Sequence, residues 1–266
     1  MRIRHHASLG LAATACLVLS GCTNAADWNA NRSSQIHSFD TSSIQAQPDI
    51  IAKLPQGALE DGVLDVAAST DYAPAEFLDP SGKAVGYDVD LTNAIAAVLG
   101  VKGQVHTAEF DSIIASIGSK YDAGISSFTV TPERTAEVDM TAYINVGSRF
   151  NVQAGNPKGV ETSDHLKLCG RTIGVQVGTA QETTMRDAAE KCAQAGKPVL
   201  SVRSYSKQSE ATTGLVGGTI DATYSDSTVA GYAVELTDGQ IVTLGEIEDA
   251  APQGVVTAKA DPQFTA

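Results

Sequence analysis

The chain has 266 residues, 42% hydrophobic and 18% charged, with 18 Lys and Arg against 31 Asp and Glu for a formal charge of −13. That is globular composition, with apolar material for one large domain or two of ordinary size. The acidic balance argues against nucleic acid or an anionic bilayer surface as the main partner.

Met1 to His6 is short and basic, and Ala7 to Val18 is apolar but too short to span a bilayer, so residues 1–21 read as an export signal. The signal ends in Leu19-Ser20-Gly21-Cys22, which resembles a bacterial lipobox with Cys22 as the lipidated first mature residue. Two or more acyl chains there would anchor the protein to the outer face of the cell membrane without a spanning helix. Losing residues 1–21 removes two arginines and no acid, leaving 16 basic against 31 acidic residues, a net of −15. Residues 22–53, rich in Asn, Ser, Asp and Gln and holding the only tryptophan, Trp28, read as a flexible tether.

From residue 54 the chain alternates β-type runs with helical ones. "GVLDVAAS" reads as a strand, "DLTNAIAAVLG" as a helix with Leu91, Ile95 and Val98 on one face and Gly100 closing it. "GQVHTAEF" is a strand, "DSIIASIGSK" a helix with Asp111 as its N-cap, and "YDAGISSF" a strand. Thr131-Pro132-Glu133 opens another helix, and "RFNVQAG" is the strand that ends this block. A second block repeats the alternation through "RTIGVQVG", "TAQETTMRDAAEKCAQAG", "VLSVRSY", "KQSEATTGLVGG", "IDATYSD" and "STVAGYAVEL". This is an α/β architecture with mainly parallel sheets, whose ligands bind at the carboxyl ends of strands. Asp88 and Asp90 read as an N-cap and a solvated first-turn acid.

The histidines have no metal-ligand spacing, and there is no phosphate loop, nucleophile elbow or dinucleotide fingerprint, so neither a metal, a cofactor nor an enzyme is expected. Of the four cysteines, Cys16 leaves with the signal and Cys22 takes lipid. Cys169 and Cys192 remain in an oxidising compartment and are expected to pair, closing a loop worth about 3 kcal/mol; two free thiols are the alternative. Arg134 stands out because a cation in the first turn of a helix is locally unfavourable, which implies a negative group nearby. That group is either an internal acid, Glu137 or Asp139, or a ligand.

Five ordered blocks, "STDYAPAEFLDPSGKAVGYDVDLTNAIAAVLG", "EFDSIIASI", "YDAGISSFTVTPERTAEVDMTAY", "GVQVGTAQET" and "DATYSDSTVAGY", resemble the polar-amino-acid class of solute-binding proteins of bacterial ABC importers, from about residue 54 onward. The resemblance implies a two-lobed type II periplasmic-binding-protein fold, two hinge strands, an amino-acid ligand, a membrane permease as partner and a monomer. It places the first lobe at 54–152, the second at 153–245 and a return to the first at 246–266. The end of the chain looks truncated beside relatives, which would leave an apolar groove on the first lobe. A sensing module and a cyclohexadienyl-dehydratase-like enzyme are the competing functions.

A free amino acid is a zwitterion, and the residues suit one. Arg134 can grip its carboxylate, aided by Thr129 and by the N–H groups of Gly178, Thr179 and Ala180 at a helix start. The resemblance makes Asp226 the acceptor of the ammonium, with the Ser127 carbonyl as second acceptor and Tyr72 and Phe110 as aromatic walls. The plainer alternatives are an N-cap role for Asp226 and Thr179 and core packing for Tyr72 and Phe110. Two positions depart from the family: Ala75 where an aromatic residue is usual, and Ala180 where a hydroxyl is common. Ser69 stands where binders of basic amino acids often carry an acid, and Gln176 is placed to meet a neutral amide. Together these favour a polar, uncharged ligand such as glutamine, with cystine and acidic amino acids as the alternatives.

Overall fold

The computed structural model describes residues 38–259 and 262–265; the export signal, Cys22 and Trp28 lie outside them. The fold is α/β, with strands β1 (Val63–Ala68), β2 (Asp71–Tyr72), β3 (Glu76–Leu78), β4 (Ala84–Val85), β5 (Lys102–Thr107), β6 (Ala123–Thr129), β7 (Val138–Gln153), β8 (Thr172–Gln176), β9 (Ser201–Tyr205), β10 (Ala222–Asp226) and β11 (Ile241–Ala258). The helices are α1 (Pro48–Ile51), α2 (Tyr87–Val98), α3 (Phe110–Ser116), α4 (Pro132–Glu137), α5 (Ala180–Gln194), α6 (Gln208–Val216), α7 (Ser227–Leu236) and α8 (Pro262–Thr265).

One sheet runs β5-β1-β6-β11-β7-β10-β8-β9, and a small sheet runs β2-β3-β4. Parallel triplets stand at both ends: β5-β1-β6 in one lobe, β10-β8-β9 in the other. The two long strands β7 and β11 join them. They pair antiparallel from Ile241 opposite Gln153 to Ala258 opposite Val138, with register shifts between Leu244 and Ala251 where the pair passes from one lobe to the other. β6 and β10 have nearly every residue buried, as strands flanked on both faces require.

Each lobe has its own core. Leu64, Val66 and Ile125 pack with α2 in the first, and Phe110, Ile113 and Phe128 form a neighbouring cluster. Phe150, Ile173, Val175 and Tyr224 pack under α5 in the second, whose inner face is Met185, Ala188 and Cys192 at helical spacing. Cys169 and Cys192 are disulfide-bonded with Cα atoms 5.6 Å apart, which ties the C-terminal end of α5 to the loop before β8.

Four readings of the sequence need correction. Residues 38–53, read as tether, pack on the first lobe: Gln47 N–H donates to Val98 O at 2.8 Å, Phe39 N–H donates to Asp90 at 2.8 Å, and α1 forms there. The N-cap position of α3 is Glu109, not Asp111. The strand read as "RFNVQAG" begins earlier, at Val138, directly after the short helix that Thr131 opens, because the β-branched and aromatic run from Val138 joins the long strand β7. Asp88 is no cap: Gly86, at φ 120°, holds that position against the Ala75 and Pro74 carbonyls, and Asp88 is buried. In the first lobe Leu54, Leu64, Ile95, Ile125 and Phe264 line an apolar cavity of about 330 Å³.

Candidate functional site

The site forms where the carboxyl ends of strands from both lobes meet. The ends of β2 and β6, with α3 and α4, bring Tyr72, Phe110, Ser127, Thr129 and Arg134 from the first lobe. The second supplies Thr179, Ala180 and Gln181 at the head of α5, and Asp226 where β10 turns into α7. These nine residues enclose a free space of about 10 Å³, room for roughly one water.

Arg134 sits in α4 with Thr131 Oγ1 accepting its backbone N–H at 3.3 Å. Its guanidinium donates to Thr129 O at 2.8 Å and, across the lobes, to Gly178 O at 3.0 Å. It lies 5.4 Å from the centres of both Phe110 and Phe128, which stack on each other at 4.8 Å. Neither Glu137 nor Asp139 forms an ion pair with it among the described residues. Burial lowers its pKa from the usual arginine value, and the field of Asp226 opposes that shift.

Asp226 is 3% exposed and occupies the N-cap position of α7 without a side-chain capping bond. Its oxygens accept from Gln181 Nε2 at 2.8 Å and Gln253 Nε2 at 2.7 Å, and its backbone N–H donates to Tyr72 Oη at 3.2 Å. Burial pushes its carboxyl up to about 6, against the opposing pull of those donors and of Arg134. Gln181 also donates to Ser148 at 2.8 Å. Each charge in the cleft is therefore held by neutral groups.

The head of α5 differs from the expectation. Gly178 N–H donates to Glu182 Oε2 at 2.7 Å and is not free for a ligand. Thr179 Oγ1 accepts from Glu182 N–H at 3.1 Å and donates to Gln176 O at 2.7 Å, so the hydroxyl caps its helix. Gly178, at φ 76°, packs against Asp111 of the first lobe so closely that a Cβ would stand 2.9 Å from Asp111 Cβ. Ser69 and Gln176 are outside the cavity lining: Gln176 Nε2 donates to Ser69 Oγ at 3.1 Å and to Ser206 O at 3.2 Å, while its Oε1 is buried without a donor. Ala75, the departure from an aromatic, is fully buried against Tyr72 and Val229.

Sequence reasoning missed Gln181, Gln253 and Phe128, and also Asp71. Ser69 donates to Asp71 at 3.0 Å, and Asp71 accepts from the N–H and hydroxyl of Ser209 on α6 at 3.3 and 3.2 Å. Gln181 lies two residues past the capping threonine, Phe128 between Ser127 and Thr129, and Asp71 directly before Tyr72, so each had a local signal; only Gln253 is distant in the chain.

The chain is 32% identical over 251 residues to an arginine-binding protein of Corynebacterium glutamicum, covering 93% of this chain and 79% of the relative. An ancestral arginine-binding protein solved with arginine matches with a TM-score of 0.70 and 31% identity, covering 76% of this chain and 87% of that one. The structure of an ancestral arginine-binding protein bound to glutamine matches with a TM-score of 0.69 and 32% identity, over 76% and 87% of the two chains. All three are described as binding proteins. Residues 64–234 match the family described as bacterial extracellular solute-binding proteins, family 3, and the chain belongs to that family.

Proposed function

We propose that this chain is the lipid-anchored, extracytoplasmic binding component of an ABC importer, holding one α-amino acid between its lobes and presenting it to a membrane permease as a monomer. The observation that carries this reading is Arg134 and Asp226 on one small cavity, each bonded to neutral groups, with opposite charges suited to the two ends of a zwitterion. Arg134 takes the carboxylate, helped by Thr129 and the start of α5 at Ala180; Asp226 and the Ser127 carbonyl take the ammonium; Tyr72 and Phe110 are the walls. The anchor is lipid on Cys22.

Arginine is the first choice of ligand. The case against a basic side chain was the lack of an acid at Ser69, yet Asp71 is bonded to that serine. The arginine-binding relatives point the same way. Glutamine is the second reading, supported by the undonated Gln176 Oε1, which an amide N–H would also satisfy.

Isothermal titration calorimetry of the chain without its signal and Cys22, against the twenty amino acids and cystine, tests the proposal. One tight ligand, lost in Arg134→Ala, is expected. Asp71→Asn should weaken arginine by about tenfold or more while leaving glutamine nearly unchanged; the reverse order would make glutamine the ligand. No heat from any of them, with the protein folded, would remove the amino-acid reading.

A further inference from the structure

Behind the cleft, two carboxyl groups lie together with no cation paired to either among the described residues. Glu76 of β3 is 0% exposed, and Asp88 in the first turn of α2 is 1% exposed. The oxygens of Asp88 are already supplied with donors. Oδ1 accepts from Tyr143 Oη at 2.7 Å, and Oδ2 accepts from Ser127 N–H at 2.8 Å and from Ser127 Oγ at 3.2 Å. Glu76 Oε1 accepts from the Ser126 hydroxyl, which itself accepts Ser69 N–H at 3.0 Å. Glu76 Oε2 is the oxygen left over: it is buried and has no donor, and the Glu76 and Asp88 carboxyl groups are hydrogen-bonding neighbours.

Two ionised carboxylates in contact at this depth repel strongly, and one proton between them removes the repulsion. Asp88 already accepts from Tyr143 and Ser127, so the proton belongs on Glu76 Oε2, where it also supplies the missing bond. We propose that Glu76 is a protonated carboxylic acid donating to Asp88, and that this pair is the positioning device for Ser126 and Ser127 in the ligand loop. The loop's role rests on the amino-acid reading above; the protonation state does not. Ser127 stands at φ 51°, a left-handed conformation unfavourable for a serine, and the two bonds from its N–H and hydroxyl to Asp88 hold it there.

The other titratable groups facing the pair are Tyr72 of β2, Tyr87 of α2, Tyr143 of β7 and Asp226 at the head of α7. All are neutral or acidic, so none offsets a second negative charge. Burial, followed by repulsion from Asp88, holds the Glu76 carboxyl well above its ordinary 4.5. The folded protein then binds a proton that the unfolded chain gives up, so this contribution to stability falls as pH rises above about 4.5.

The two isosteric amides separate this arrangement from its alternatives. In Glu76→Gln the new N–H donates to Asp88 and the amide oxygen still accepts from Ser126, with no proton required. In Asp88→Asn one acceptor becomes a donor and the loop loses a bond. Thermal unfolding of the full chain from about pH 5 to 8.5 should show Glu76→Gln keeping or raising the melting temperature and flattening its decline with pH. Asp88→Asn should lower it by about 5 °C. The infrared spectrum at neutral pH should contain a protonated-carboxyl stretch that Glu76→Gln removes. Calorimetry with arginine and glutamine should find Glu76→Gln within about threefold of the parent affinity and Asp88→Asn weaker by about tenfold or more.

An unchanged pH slope in Glu76→Gln, or the carboxyl stretch surviving in it, would overturn the proposal, as would Glu76→Gln proving as damaging as Asp88→Asn. If Asp88→Asn does not fold, the slope and the infrared band of Glu76→Gln decide alone. A parent protein that binds neither amino acid would defeat the ligand reading, while the slope and band would still test the shared proton.

Discussion

The two charged poles of the cleft, Arg134 and Asp226, are built in contrasting ways. Arg134 is held by two carbonyls, one from each lobe, and by the faces of two stacked phenylalanines. It stays a cation across the physiological range, since burial lowers an intrinsically very high pKa. Asp226 is held by two side-chain amides and sits deep enough to titrate near 6. One pole is therefore a permanent charge that bridges the lobes, and the other is conditional, with a charge maintained by the amides beside it.

The contrast is tested most severely at the acid. On the proposed amino-acid reading, Asp226→Asn removes the partner of the ligand's ammonium and should weaken binding by about 3–5 kcal/mol, read by calorimetry at neutral pH. The parent affinity should rise with pH through about 6 as Asp226 ionises, and the variant should lose that dependence. For folding the sign is opposite. A raised carboxyl contributes stability that is lost as pH rises from 3.8 through about 6, so ligand-free Asp226→Asn should melt higher than the parent at neutral pH. A lower melting temperature would mean that the buried charge stabilises the fold.

Arg134→Ala should cost about 3 kcal/mol of affinity, and because the arginine's charge lowers the carboxyl of Asp226, its loss should also move the midpoint of the binding profile upward. A profile that vanished with the arginine would show that the poles are not separable. Gln181→Ala should have the smallest effect, about 1–2 kcal/mol. Because the Gln181 donor lowers the carboxyl of Asp226, its loss should move the midpoint of the binding profile upward. An unmoved midpoint would assign control of that charge to Gln253.

Much of this was legible along the chain, because it depends on short-range chemistry. The alternation of apolar runs gave the α/β layers; Thr131-Pro132 and Thr179 cap the helices they precede, through bonds only three residues long. Arg134 and Asp226 stood out along the chain too, and both line the same small cavity. Tertiary structure decided what those groups touch. Gln253 reaches Asp226 across 27 residues and Gln176 reaches Ser69 across 107, so no local spacing foretells either bond. Asp88 looked like a helix N-cap because its sequence neighbours suit one, yet it is buried against Ser127 and Tyr143, 39 and 55 residues away. Burial and the hydrogen-bond partners of a side chain are set by where separate strands come to lie, and those decide whether a carboxyl is a cap, a counter-charge or an acid that keeps its proton.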